Sequence, residues 1–233
     1  MFVYRLLYLS SLITFTFGAL TFSVLTLFYW RERRLRHSPG RGRAFPVFTV
    51  LCAVAFVMNL MLRFVNAREP DSAFTNVLTA VLDLATGLLP ALLFHLIYAE
   101  EKCGLAVRRF WSGLLVAFYA IGLVAAAAQA LSDTGLAASG WGDSLDSARA
   151  TMLGTAGALG LLVQFFSRRA VTPAELRHRR WMRVLLCAAL LLAAANLTVA
   201  NPFVGVLPDY LVLGFFCVTL YYKERLVFFD LLI

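Results

Sequence analysis

The sequence predicts an all-α polytopic membrane protein, a bundle of seven transmembrane helices, and three observations carry that reading. Of its 233 residues, 61% are hydrophobic and only 15% charged, with a mean hydropathy of +0.79. A water-soluble domain of this size keeps far more polar surface. The apolar residues fall into seven runs near the ~20 residues that a helix needs to cross roughly 30 Å of hydrocarbon. The basic residues gather in every second gap between those runs, as they do in cytoplasmic loops. Closed barrels are the other spanning solution, and these runs lack the strict alternation that a barrel strand needs.

The first run, 6–30, follows Arg5 and could be taken for a signal peptide. Its apolar stretch is too long, no small-residue cleavage site is evident, and an Arg-rich stop-transfer segment follows, so it reads as a retained anchor. The second run, 45–66, carries Asn59, Arg63 and Asn66 at i, i+4 and i+7, which places them on one helix face toward its far end. On the third, 77–98, Asp83, Gly87, Pro90 and Phe94 share a face. Asp83 lies six residues into that run, about 9 Å at 1.5 Å per residue. Pro90 deprives Thr86 of a backbone donor, so Gly87 and Pro90 are the candidate hinge. The fourth run is 110–131, and a Gly- and Ser-rich loop, 132–149, follows with Asp133, Trp141, Asp143 and Asp146. It is too short to fold as a separate domain.

Small residues mark the fifth and sixth runs, 150–167 and 184–200: Gly154, Gly157, Ala158 and Gly160 on one, Ala188, Ala189, Ala193, Ala194 and Ala195 on the other. Such positions let helix backbones approach closely in lipid, either within the chain or across a homodimer. Between these runs, Thr172-Pro173-Ala174-Glu175 has the form of a capping box with proline in the first turn. The seventh run is 207–222. Beyond it Lys223, Glu224 and Arg225 mark an interface, and Leu226, Phe229 and Ile233 recur at helical spacing. That stripe predicts a connector helix over 223–233 that continues from the membrane into a packed partner. The alternative is an amphipathic segment on the inner leaflet. Ending on apolar Leu231-Leu232-Ile233 would leave that helix unburied, and a truncated chain is the expectation.

Charge sets the expected orientation. Arg31, Arg33, Arg34, Arg36, Arg41 and Arg43 follow the first run, and Lys102, Arg108 and Arg109 the third. Arg168, Arg169, Arg177, Arg179, Arg180 and Arg183 follow the fifth, and Lys223 and Arg225 the seventh. Only Arg5, Arg63, Arg68 and Arg149 lie elsewhere. The positive-inside rule then puts the N-terminus outside and the C-terminus in the cytoplasm. The net charge of +8 is accordingly read as contact with anionic headgroups, not with nucleic acid.

Polar side chains at membrane depth are costly and are the first places to look for function. Arg63 and Asp83 lie at comparable levels and could pair, with Asn59 and Asn196 close by. One reading is an outward-facing pocket in which a ligand perturbs that pair; the other is a structural ion pair with amide contacts between helices. His95, with Glu100 and Glu101 nearby, reads as hydrogen-bonded or as a proton or metal site, and His37 and His178 read as solvated. Cys52, Cys187 and Cys217 fall in apolar runs and Cys103 in a loop, which gives neither a disulfide framework nor zinc spacing, and they read as buried free thiols packing as small apolar residues.

Several functions are excluded. Retinal needs a lysine deep in a span, and the two lysines, Lys102 and Lys223, sit at span ends. Tyr98-Ala99-Glu100-Glu101-Lys102 is not the acidic-Arg-Tyr signature of G-protein-coupled receptors, and Asn201-Pro202 falls in a loop. The sequon at Asn196 lies within a span. No phosphate-binding loop, catalytic constellation or cofactor motif occurs. Asp83 is slender support for an ion-coupled transporter.

The Tyr221-Tyr222-Lys223-Glu224-Arg225 run, followed by Phe228-Phe229-Asp230-Leu231-Leu232-Ile233, resembles the segment that leads out of the N-terminal seven-span input region of bacterial membrane histidine kinases. The likeness in this motif covers about a dozen residues, while the seven-span layout agrees over the whole length. It implies a sensor domain over 1–222 whose output passes through Tyr222, Lys223, Glu224, Arg225 and Phe229 to a linked or associated kinase. The phosphoacceptor His box and the ATP-binding Asn and Gly boxes are not in this chain. The alternative function is a small transporter or channel-like protein.

Overall fold

The computed structural model describes residues 2–35, 44–65, 72–133, 142–168 and 173–198, together with Leu211, Val212 and Gly214. All regular structure among them is helical: α1 (Phe2–Leu35), α2 (Ala44–Val65), α3 (Ala73–Glu101), a 3-10 turn (Lys102–Gly104), α4 (Arg108–Asp133), α5 (Gly142–Phe166) and α6 (Pro173–Thr198). Six helices among the described residues are long and apolar enough to cross a membrane. Of the seventh run, Leu211, Val212 and Gly214 are helical and the rest lies outside the described residues, as does the whole connector from Tyr222 to Phe229.

The surface has the character of a lipid-facing one. On α1, Leu9, Ile13, Phe17, Leu20, Val24 and Leu27 recur at three- and four-residue spacing and are all exposed, while Phe15, Phe22 and Leu25 turn inward. Several hydroxyls are satisfied within their own helices: Thr14 donates to the Ser10 carbonyl at 2.9 Å, Thr79 to Thr75 at 3.0 Å and Thr155 to Thr151 at 2.7 Å. Without water, a hydroxyl in hydrocarbon must bond the preceding turn or bear the desolvation cost.

Sequential helices pack together, and α3 is central, touching α2, α4 and α5. Short connections make neighbours antiparallel. One end of the bundle therefore carries the start of α1, the end of α2 and the start of α3; here it is called the N-terminal face. Arg5, Arg63 and Arg149 lie toward it, while Arg31, Lys102, Arg108, Arg109, Arg168, Arg177, Arg179, Arg180 and Arg183 lie toward the opposite face.

Each seam has its own chemistry. At α1–α2, Phe22 stacks on Phe56 with ring centroids 5.6 Å apart, and Phe15 and Phe48 extend the cluster. Gly18 admits the Phe56 ring, since a Cβ there would come within 2.5 Å of it. At α3–α4 a Cβ on Gly87 would sit 2.6 Å from that of Ala126, and Phe94 meets Phe118 edge-on at 6.1 Å. At α5–α6, Gly154 faces Ala193 and Gly157 faces the Leu186 carbonyl, while Gly160 packs on Ile97 and Leu186. Gly154, Gly157, Gly160, Ala189 and Ala193 of the small-residue runs are thus occupied within the chain, while Ala194 is exposed.

Helix limits depart from the hydropathy runs in an instructive way. The fifth helix begins at Gly142, inside the stretch expected to be a loop over 132–149. The sixth begins at Pro173, well before residue 184, with Glu175 in its first turn. Hydropathy marks only what hydrocarbon would cover; polar helical turns such as Asp143 to Arg149 project past it and read as loop. His178 is corrected by the same geometry. It is buried, with Nδ1 4.0 Å from Glu100 Oε2, because α6 brings it against the end of α3. Cys187, expected to pack as a small apolar residue inside the bundle, is exposed, whereas Cys52 is fully buried.

Candidate functional site

A cavity of about 630 Å³ opens within the bundle. Its lining includes all four residues singled out for sensing, Asn59, Arg63, Asp83 and Asn196, along with the hinge candidates Gly87 and Pro90. It also includes Gln129, Arg149 and, from the seventh run, Leu211 and Val212. Its volume falls within the range of small-molecule sites, about 300–1,000 Å³.

The ion pair in its wall is not the expected one. Asp83, 4% exposed, lies 3.0 Å from Arg149 Nη1. The other terminal nitrogen of Arg149 donates to Thr86 Oγ1, and that hydroxyl in turn donates to the Leu82 carbonyl at 2.9 Å. One turn of α3 thus offers the guanidinium both a carboxylate and a hydroxyl. Arg63 is directed elsewhere: its guanidinium carbon is 5.6 Å from the Tyr8 ring centroid and 5.7 Å from that of Phe15, within the distance of cation–π attraction. The physical reason for the exchange is that Arg149 is held on helix and not on loop. The α5 backbone carries it into the wall of the bundle opposite Asp83. Sequence reasoning missed it because its polar turn, at the edge of an apolar run, reads as loop.

The remaining polar groups are fixed more locally. Asn59 donates to the Ala55 carbonyl at 3.0 Å, one turn back on its own helix. Gln129 is buried on α4, while Asn196 is exposed at the end of α6. Gly87 is a contact position, its hydrogens against Ala126, and Pro90 sits within α3, which runs unbroken from Ala73 to Glu101. Tyr222, Lys223, Glu224, Arg225 and Phe229 lie outside the described residues.

A second polar cluster, which the hydropathy reading missed, ties the opposite ends of α3, α5 and α6 together. Glu101, 3% exposed, accepts from Arg179 Nε at 2.7 Å and from its Nη2, and Ser167 Oγ donates to the same carboxylate at 2.7 Å. A bidentate guanidinium plus a hydroxyl supplies three donors to one buried carboxylate, which is the arrangement that offsets its desolvation. Arg183 Nε adds a bond to Gln164 at 3.3 Å. His95 Nδ1 lies 3.0 Å from the Tyr119 hydroxyl. No group of three or more His, Cys, Asp or Glu able to hold a metal occurs among the described residues.

Comparison with protein-family models, with curated proteins and with solved structures finds no match to this chain.

Proposed function

We propose that this chain is a membrane-embedded sensory input module that passes the state of its cavity through its last helix to a cytoplasmic output domain, a two-component histidine kinase. The observation that carries the reading is a shared wall. Leu211 and Val212, on the run that leads to Tyr222 and Arg225, line the same cavity as Asp83 and Arg149. An occupant that disturbs the Asp83–Arg149 pair therefore also touches the element that leaves the membrane. A ligand shifts such an equilibrium only by binding its two states differently, and this wall provides the differential contact.

The proposal includes a seventh span over 207–222, an outside N-terminus and a cytoplasmic C-terminus in a bacterial inner membrane, supported by the 17 of 21 basic residues in alternate gaps. Partners are the anionic lipid of that membrane, a linked or associated kinase, and a second copy of the chain through the connector helix. The test joins Ile233 in frame to the catalytic core of a histidine kinase and follows autophosphorylation in membrane vesicles. Arg149→Leu and Asp83→Asn are expected to change the rate at least about threefold at equal protein levels, which corresponds to a modest coupling free energy. Identical rates for all variants contradict the sensor reading. Saturable solute flux through the same vesicles is what the transporter alternative requires.

A further inference from the structure

We infer that the cavity is a binding site for an amphipathic monoanion, a single anionic head on an apolar body, and that Arg63 receives the head. The inference rests on the cavity being the input site proposed above, and it names the class of ligand that site takes.

Charge is the first argument. Among the described residues lining the cavity are two guanidiniums, Arg63 and Arg149, and one carboxylate, Asp83. Asp83 is engaged by Arg149. No carboxylate meets Arg63 among the described residues, and its charge rests on the faces of Tyr8 and Phe15. Ring faces hold a cation but accept none of the five N–H donors of a guanidinium in a conventional hydrogen bond. An anion would use those donors and neutralise the net positive charge of the described lining, whereas a cationic ligand would add to it.

Shape is the second argument. The cavity is long and its ends differ. Arg63 and Phe48 both line it, fifteen positions apart on α2, about 22 Å along the axis. Asp83 and Leu93 on α3 are ten positions apart and also both line it. The polar groups Arg63, Asp83, Gln129 and Asn196 lie toward the N-terminal face, whereas Phe48, Leu89 and Leu93 lie deeper. A head group at one end and a body of about eight to twelve carbons along the axis would fit within that length and follow the change in lining.

The plain alternative is an interfacial arginine, favoured in the last turn of α2 by the helix dipole and snorkelling toward water. Arg63 is exposed, as a snorkelling side chain is, but its guanidinium also lies over Phe15, which itself lines the cavity. The same chemistry is offered by a free carboxylate amphiphile and by the head of an anionic lipid entering from the N-terminal leaflet.

The test uses the full chain in nanodiscs of phosphatidylcholine, with radiolabelled decanoate as probe and decanol as its uncharged counterpart. Decanoate is expected to bind saturably and at least about tenfold more tightly than decanol, the scale of one charge-assisted hydrogen-bonded contact. Arg63→Gln should abolish that preference and Arg63→Lys should keep part of it, while Arg109→Gln on the opposite face should leave it unchanged. Thermal unfolding confirms that each variant is folded. If decanoate does not bind but the purified chain retains phosphatidylglycerol in an Arg63-dependent manner, the assignment stands with lipid as the source. Equal binding of decanoate and decanol, or Arg63-independent binding of both probes, overturns it. The kinase fusion separates the two readings. Arg63-dependent binding without any change in autophosphorylation would leave the ligand assignment standing and sink the sensor.

Discussion

At the residue scale, Asp83 shows how a membrane-depth charge is made tolerable. Its carboxylate is 4% exposed, and Arg149 holds it at 3.0 Å while also donating to Thr86. Removing one partner of a buried pair is worse than removing both, because a lone charge remains. Arg149→Leu should therefore destabilise the folded protein by about 3 kcal/mol, and Arg149→Leu with Asp83→Asn by clearly less. Equilibrium unfolding of both in detergent checks the order; equal losses would mean that the pair carries no coupling. At the other end, Glu101 accepts from both Arg179 and Ser167. Glu101→Gln strands the Arg179 guanidinium and should cost about 3 kcal/mol, whereas Ser167→Ala removes one hydrogen bond at about 1 kcal/mol. Of these residues, Asp83 was legible in the sequence because an acid within an apolar run is costly and needs a partner. Arg149 and Arg179 were not, since each lies in polar turns that hydropathy assigns to loops.

At the element scale, the helices meet where side chains are missing. Gly87 presses on Ala126 and Gly18 on the Phe56 ring. A Cβ at Gly87 would lie 2.6 Å from the Ala126 Cβ, so α3 and α4 would have to separate. Gly87→Ala should cost about 1–3 kcal/mol, the usual scale of overpacking. Gly113, on the same α4, has nothing within 4 Å of its Cβ position, and Gly113→Ala should be neutral or stabilising by up to about 1 kcal/mol. Thermal unfolding of the two variants distinguishes a packed seam from a lipid-facing glycine, and equal effects would contradict this account of the seams. The sequence showed that the fifth and sixth helices have close-packing faces. It could not show that those faces meet each other and Ile97, because lipid and a neighbouring helix favour the same apolar composition.

At the scale of the whole molecule, the described residues make a six-helix membrane bundle with α3 at its centre and unlike polar clusters at its two ends. Apolar run length and the alternation of basic residues were enough to foresee a polytopic helical protein, since both follow from the bilayer's thickness and charge. A pocket at Asn59, Arg63, Asp83 and Asn196 was one of two readings of the sequence, but its partners Arg149 and Gln129 were not legible, because they depend on which faces of non-adjacent helices are brought together. The cavity wall contains both the Asp83–Arg149 pair and Leu211 and Val212. The most direct measurement is the distance distribution between spin labels at positions 109 and 225 in nanodiscs, on the parent chain and on Arg149→Leu. Coupling predicts a displacement of about 2 Å or more, or a change in the populations of two states, on the scale of known helix shifts. Superimposable distributions from two folded proteins would contradict it.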